Sequence, residues 1–146
     1  MEIVEAHLPE LDLLVPLFDR YRQFYKRPSD PESCRRFLRE RIENGESVIY
    51  LALSAGLAEG FVQLYPSFSS VAMKRLWILN DLFVSAAARR SGTGRALLER
   101  ARQLAIDTSA KGLALSTGID NVTAQRLYEQ TGYRRDAEFF QYVLCT

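Results

Sequence analysis

The chain has a single histidine, His7, and two cysteines, Cys34 and Cys145. One histidine argues against a Cys–His nucleophilic pair. The two cysteines have no metal-ligand spacing, so they read as free thiols of a reducing cytoplasm. Neither sign of charge is in large excess. The net charge is +1, which gives no strong field for nucleic acid or an acidic membrane. No apolar run approaches the ~20 residues needed to cross a bilayer. Glu2, Glu5 and Glu10 follow Met1 too closely for a signal peptide. There is no Gly-Lys pair, which excludes a nucleotide P-loop. Repeats, low-complexity tracts and linkers are absent. At 146 residues, 47% hydrophobic and 25% charged, the expectation is one cytoplasmic domain over 1–146, large enough to bury a single core.

The patterning predicts a mixed α and β domain. Residues 3–6 form a short first strand. A helix covers 9–25, with Leu11, Leu14, Val15, Phe18 and Tyr21 on one side and a kink or late start at Pro16. Residues 26–29 form a loop. Asp30 then Pro31 reads as an N-cap with proline at N1. Cys34, Phe37, Leu38 and Ile42 follow at helical spacing, with Cys34 in the core, and Asn44-Gly45 ends that helix. Strands at 48–53 and 61–65 are joined near Ala55-Gly56, 66–70 is a loop, and 74–84 is the longest strand. The helix after Gly94 buries Leu97, Leu98, Ala101, Leu104 and Ala105. A strand at 113–117 follows. Ala124, Leu127 and Tyr128 then share one face of a short helix that stops at Gly132, and 138–144 is the last strand.

The most informative stretch is LNDLFVSAAARRSGTGRALL, residues 79–98. An apolar strand ends at Val84; Arg89 and Arg90 follow, then Gly92 and Gly94, then a helix. Four N–H groups at a helix start lack helical partners, and the helix dipole adds positive charge there. Gly92 and Gly94 let the backbone turn tightly and approach phosphate oxygens closely. Arg89, Arg90 and Arg95 add mobile charge. Together these form a pyrophosphate site. A dinucleotide fingerprint would need a third glycine where Leu97 stands.

The run Arg89-Arg90-Ser91-Gly92-Thr93-Gly94 resembles the Q/R-x-x-G-x-G/A signature of the GCN5-related N-acetyltransferase (GNAT) family. The run from Asn121 to Tyr133, NVTAQRLYEQTGY, is similar to that family's N-x-x-A-x-x-L-Y-x-x-x-G-[FY] motif. Two motifs in the right order are far more specific than either alone. The segments around Tyr21–Tyr25 and 64–70 resemble the histone/polyamine (yeast Hpa-like) subgroup.

The resemblance implies a single α/β (α+β) domain. Its sheet would be mixed and mostly antiparallel, with six to seven strands splayed between the fourth and fifth, flanked by about four helices. It also implies acetyl-CoA as cofactor and a primary amine as acceptor: a polyamine, a small amine, or a protein lysine or N-terminus. The pantetheine arm would bond to backbone groups at Leu82, Phe83 and Val84, and the diphosphate to Arg89, Arg90, Ser91, Gly92, Thr93, Gly94 and Arg95. Asn121 aligns with an asparagine that holds the cofactor amide or a water, and Tyr128 with the family's general acid. Without the motif, Tyr128 would read as a core tyrosine. An amine with a pKa near ~10.4 must lose a proton before it attacks. Asp81 is the candidate base, taking the proton through water or binding the ammonium group before it ionises, or alternatively a structural cap. Glu59 is a more distant candidate. Asn80 stands where some polyamine-acetylating relatives have glutamate. Tyr21, Phe24 and Tyr25 read as helix packing, in a region that the family places over the acceptor. The resemblance further implies a homodimer through the last strand, using Phe139, Phe140, Tyr142 and Val143. The competing readings are a non-catalytic acyl-CoA-binding or regulatory module on the same fold, and a nucleotide-binding protein.

Overall fold

A computed structural model describes residues 1–146. Strand β1 (Glu2–Glu5) leads through a 3-10 turn into helix α1 (Leu11–Phe24), which is followed by α2 (Pro31–Glu43), β2 (Val48–Ser54), β3 (Leu57–Ser69) and β4 (Lys74–Val84). A second 3-10 turn, Ala86–Ala88, precedes α3 (Thr93–Asp107), β5 (Leu113–Ala114) and α4 (Val122–Gln130). The chain divides into two compact units, Met1–Ser116 and Thr117–Thr146. No helix is long and apolar enough to cross a membrane.

In the first unit, one sheet has the order β1-β2-β3-β4-β5. The first four strands pair antiparallel, and β5 joins β4 in parallel. Side chains alternate across a strand, so neighbouring β3 residues mark the two faces. Phe61 packs against Phe18 of α1, with ring centroids 6.0 Å apart. Next to it, Gly60 faces the start of α3. A Cβ built on Gly60 would lie 2.8 Å from Phe83 O and 3.3 Å from both Leu97 Cδ1 and Thr93 Cγ2. The backbone oxygen cannot swing aside. Gly60→Ala is therefore expected to cost about 1–3 kcal/mol by overpacking, read as a lowered denaturation midpoint; an unchanged midpoint would show that the strand relaxes freely.

Local signals account for most element ends. Asp30 caps α2 by accepting from Ser33 N at 3.2 Å, and Pro31 occupies N1. Gly45, at φ +62°, closes the same helix, with Glu46 N donating to Arg41 O at 2.9 Å. Helix α1 runs through Pro16. The buried Asp19 links α1 to the start of α2, accepting from Ser29 Oγ at 2.6 Å and Asp30 N at 2.8 Å. Burial alone would raise its pKa, but the hydrogen bonds from Ser29, Asp30 and Cys34 outweigh that and hold it low.

Four sequence expectations about the sheet need correction. Residues 66–69 are strand, not loop: Pro66 lies opposite Trp77. Pairing of β3 with β2 stops at Leu64, so proline's missing N–H falls on an open edge. The sheet has five strands, not six to seven, and β5 is shorter than the expected 113–117. The last strand, at 138–144, does not form. Asp136 accepts from Glu138 N at 2.8 Å and Phe139 N at 3.3 Å. That side-chain turn takes the N–H groups that would begin a ladder.

Candidate functional site

The site in the first unit is built on an irregularity in β4. Asp81 pairs with Gln63 and Leu79 with Leu64, so Asn80 is an extra residue, a β-bulge. The bulge changes which face the strand presents. Before it, Trp77 reaches α3, its Nε1 donating to Thr108 Oγ1 at 2.8 Å. After it, Phe83, of the same parity, packs against Tyr21 of α1 with centroids 6.1 Å apart. A regular strand would have sent both to one side.

Asp81 therefore enters the α1 side of the sheet and is only 5% exposed. Gln63 Nε2 donates to its Oδ2 at 2.7 Å, and Asn80 Nδ2 to its Oδ1 at 3.1 Å. The Tyr21 phenol is its third hydrogen-bond partner. All three partners are neutral. Burial pushes the Asp81 carboxyl above its ordinary pKa, and the three hydrogen bonds only partly offset this. Burial, with the Asp81 charge second, also pushes the Tyr65 phenol up to about 12. Gln63 is fully buried and its Oε1 has no hydrogen-bond partner.

Leu82, Phe83 and Val84 pair on one side with Val62, Phe61 and Gly60. On the other side, the ladder from β4 to β5 covers only Trp77 and Ile78. Because β5 is only two residues long, the β4 backbone beyond Ile78 has no β5 partner.

The chain then turns into α3. Arg89 Nε donates to Val84 O at 3.3 Å. Arg90 adopts φ +67° and Gly92 φ +86°. Left-handed arginine is strained by about 1–2 kcal/mol, and such residues cluster at functional sites. Ser91 Oγ bonds to Ala88 O and lies 2.9 Å from Thr93 Oγ1. Gly92 is the N-cap, no side chain caps it, and the first turn holds no acid. The first helical bond runs from Ala96 N to Gly92 O at 3.0 Å, so the N–H groups of Thr93 and Gly94 precede it. The helix begins at Thr93, before Gly94 rather than after it. Only Gly92 is left-handed; Gly94 is a first-turn helical residue. Arg89, Arg90 and Arg95 are exposed.

In the second unit, Asn121 caps α4, its Oδ1 accepting from Ala124 N at 3.3 Å. The helix closes at Gly132, φ +101°, with Tyr133 N donating to Tyr128 O at 3.0 Å. The Tyr128 ring is partly buried and lies 5.7 Å from that of Tyr133. Phe139, Phe140, Tyr142 and Val143 are exposed.

The structure brings Asp81 together with two residues to which the sequence reading assigned no polar role, Tyr21 and Gln63. The signal for Gln63 was present: one amide inside the apolar run Phe61-Val62-Gln63-Leu64. Tyr21 joins the core of rings, whereas Phe24 and Tyr25 are more than half exposed. Glu59 accepts from Ser54 Oγ at 3.0 Å.

A model of the acetyltransferase (GNAT) family matches residues 14–133, a span that takes in both motifs. The chain is 47% identical over 144 residues to the uncharacterized N-acetyltransferase YhfO of Bacillus subtilis, covering 99% of this chain and 97% of that protein. It is 51% identical to a probable acetyltransferase of known crystal structure, with a TM-score of 0.96 over 100% of this chain and 98% of the other. It also shares a fold with an aminoglycoside N-acetyltransferase solved in complex with CoA, at 15% identity and a TM-score of 0.82, covering 98% and 93% of the two chains.

Proposed function

This chain belongs to the GNAT acetyltransferase family, and from that premise we propose that it moves an acetyl group from acetyl-CoA to a primary amine by direct attack on the thioester. The observation that carries the cofactor assignment is the start of α3. There an uncapped, acid-free first turn follows left-handed Arg90 and Gly92. Backbone N–H groups with no competing carboxylate suit a diphosphate, and Arg89, Arg90 and Arg95 supply countercharge. The β4 edge at Leu82–Val84, which β5 does not cover, suits an amide-bearing arm. One N–H there would stabilise the oxyanion formed during attack.

Asp81 takes the amine proton through water, since burial has raised its proton affinity above that of an ordinary carboxylate. Tyr128, assigned by its motif position, protonates the departing thiolate. A phenol hydroxyl is a hydrogen-bond donor suited to that role. Asn121 holds a cofactor amide or a water in addition to capping α4.

Release of CoA thiol, followed with Ellman's reagent across an amine panel, tests this reading. The expected result is release that depends on both acetyl-CoA and amine. Tight CoA binding with no release for any amine would instead favour a non-catalytic acyl-CoA module. We further propose a homodimer that covers the exposed Phe139, Phe140, Tyr142 and Val143; light scattering should give twice the chain mass, and a monomer mass would refute it.

A further inference from the structure

Asp81 is a buried carboxyl whose partners have one chemical property in common. Tyr21, Gln63 and Asn80 each carry a group that can both donate and accept a hydrogen bond. The phenols of Tyr21 and Tyr65 are the titratable groups that act on it or respond to it, and no cation pairs with it. An arginine or lysine partner would lock the carboxylate in its ionised form. This set of partners does not.

We propose that Gln63 and Tyr21 are positioning residues that let Asp81 gain and lose a proton without leaving its buried place. The inference rests on Asp81 being the base of the proposed reaction. The Gln63 amide is the central element. With Asp81 ionised, Nε2 donates to Oδ2 at 2.7 Å while Oε1 is buried without a partner. Once Asp81 holds the amine's proton, its new O–H needs an acceptor. Rotation of the amide about its terminal bond brings Oε1 to that position. Either orientation leaves one amide atom unpaired, but the bond donated to the charged carboxylate is the stronger one, so the amide serves both states while still favouring the ionised form. The Tyr21 phenol can likewise turn from donor to acceptor. The unmade bond at Oε1 carries a desolvation cost that would be unexplained if Gln63 only filled space. The bulge at Asn80 places Asp81 on this face, and α1 supplies Tyr21.

The test uses Gln63→Met, which keeps length and removes both polar groups, and Tyr21→Phe. Two readouts are needed: the acid limb of kcat/KM against pH, and the titration of Asp81 by carboxyl-carbon NMR. Both variants should move both curves upward by about one pH unit, because a hydrogen bond to the ionised form is lost, while KM for acetyl-CoA stays at its native value. Unshifted NMR titrations in folded variants would overturn the proposal. A shifted titration with an unmoved acid limb would also overturn it, by detaching Asp81 from the rate. Asp81→Asn separates the two failures: native kcat/KM in that variant would sink the base assignment itself, whatever Gln63 does.

Discussion

Gly94→Glu is expected to remove CoA binding, weakening it at least about a hundredfold, or roughly 2.8 kcal/mol. Gly94 is in the first turn of α3, where N–H groups precede the first helical bond. A glutamate there brings negative charge and bulk to the place assigned to the diphosphate. The substitution should not harm the fold. An acid in the first turn of a helix interacts favourably with its dipole, and glutamate has a better helix propensity than glycine. Thermal denaturation should therefore show native or raised stability while calorimetry with CoA shows little heat. Native affinity in this variant would refute the assignment of the turn. Gly92 is a poorer test. Its φ of +86° makes any side chain strained, so lost binding there would be confounded with a damaged turn.

Tyr128→Phe is expected to lower kcat by about a hundredfold, within the usual range for loss of a general acid, with CoA affinity unchanged. The ring contact to Tyr133 is kept in the variant, and so is the Schellman closure of α4, which uses only the Tyr128 carbonyl. A structural tyrosine would behave differently, with kcat and CoA affinity falling together or neither changing. The split between the two measurements decides the role. A leaving group more acidic than the CoA thiol should recover part of the loss, since it needs less help from a proton donor.

Much of this protein was legible along the chain because its signals are local. Asp30-Pro31, Asn44-Gly45 and Gly132 act within a few residues of themselves, and α2 starts and ends, and α4 ends, where those residues imply. Strand β4 has the expected bounds, 74–84, because its apolar run is long and bordered by turns. The two motifs were readable for the same reason: a glycine turn at a helix start and a capped short helix are each built from consecutive residues.

The rest depended on pairing across distance. Pro66 was read as a loop because proline lacks a ladder donor. Only the early end of the β2–β3 ladder shows that this donor is not needed. The absent last strand shows the opposite failure. Loose alternation over 138–144 permits a strand, but a strand also needs an edge to pair with, and Asp136 takes its first N–H groups. Asp81 shows the difference most clearly. Its position at the end of an apolar strand marked it as a candidate, but only the Asn80 bulge decides the face on which it stands. Partners that surround it come from 60 and 18 residues upstream, Tyr21 and Gln63. The sequence by itself determined the helices, most of the strands, the glycine turn before α3 and the family, since those are written in neighbouring residues. Tertiary structure alone decided the proton environment of the carboxylate, because desolvation and hydrogen bonding are set by whichever groups folding brings into contact.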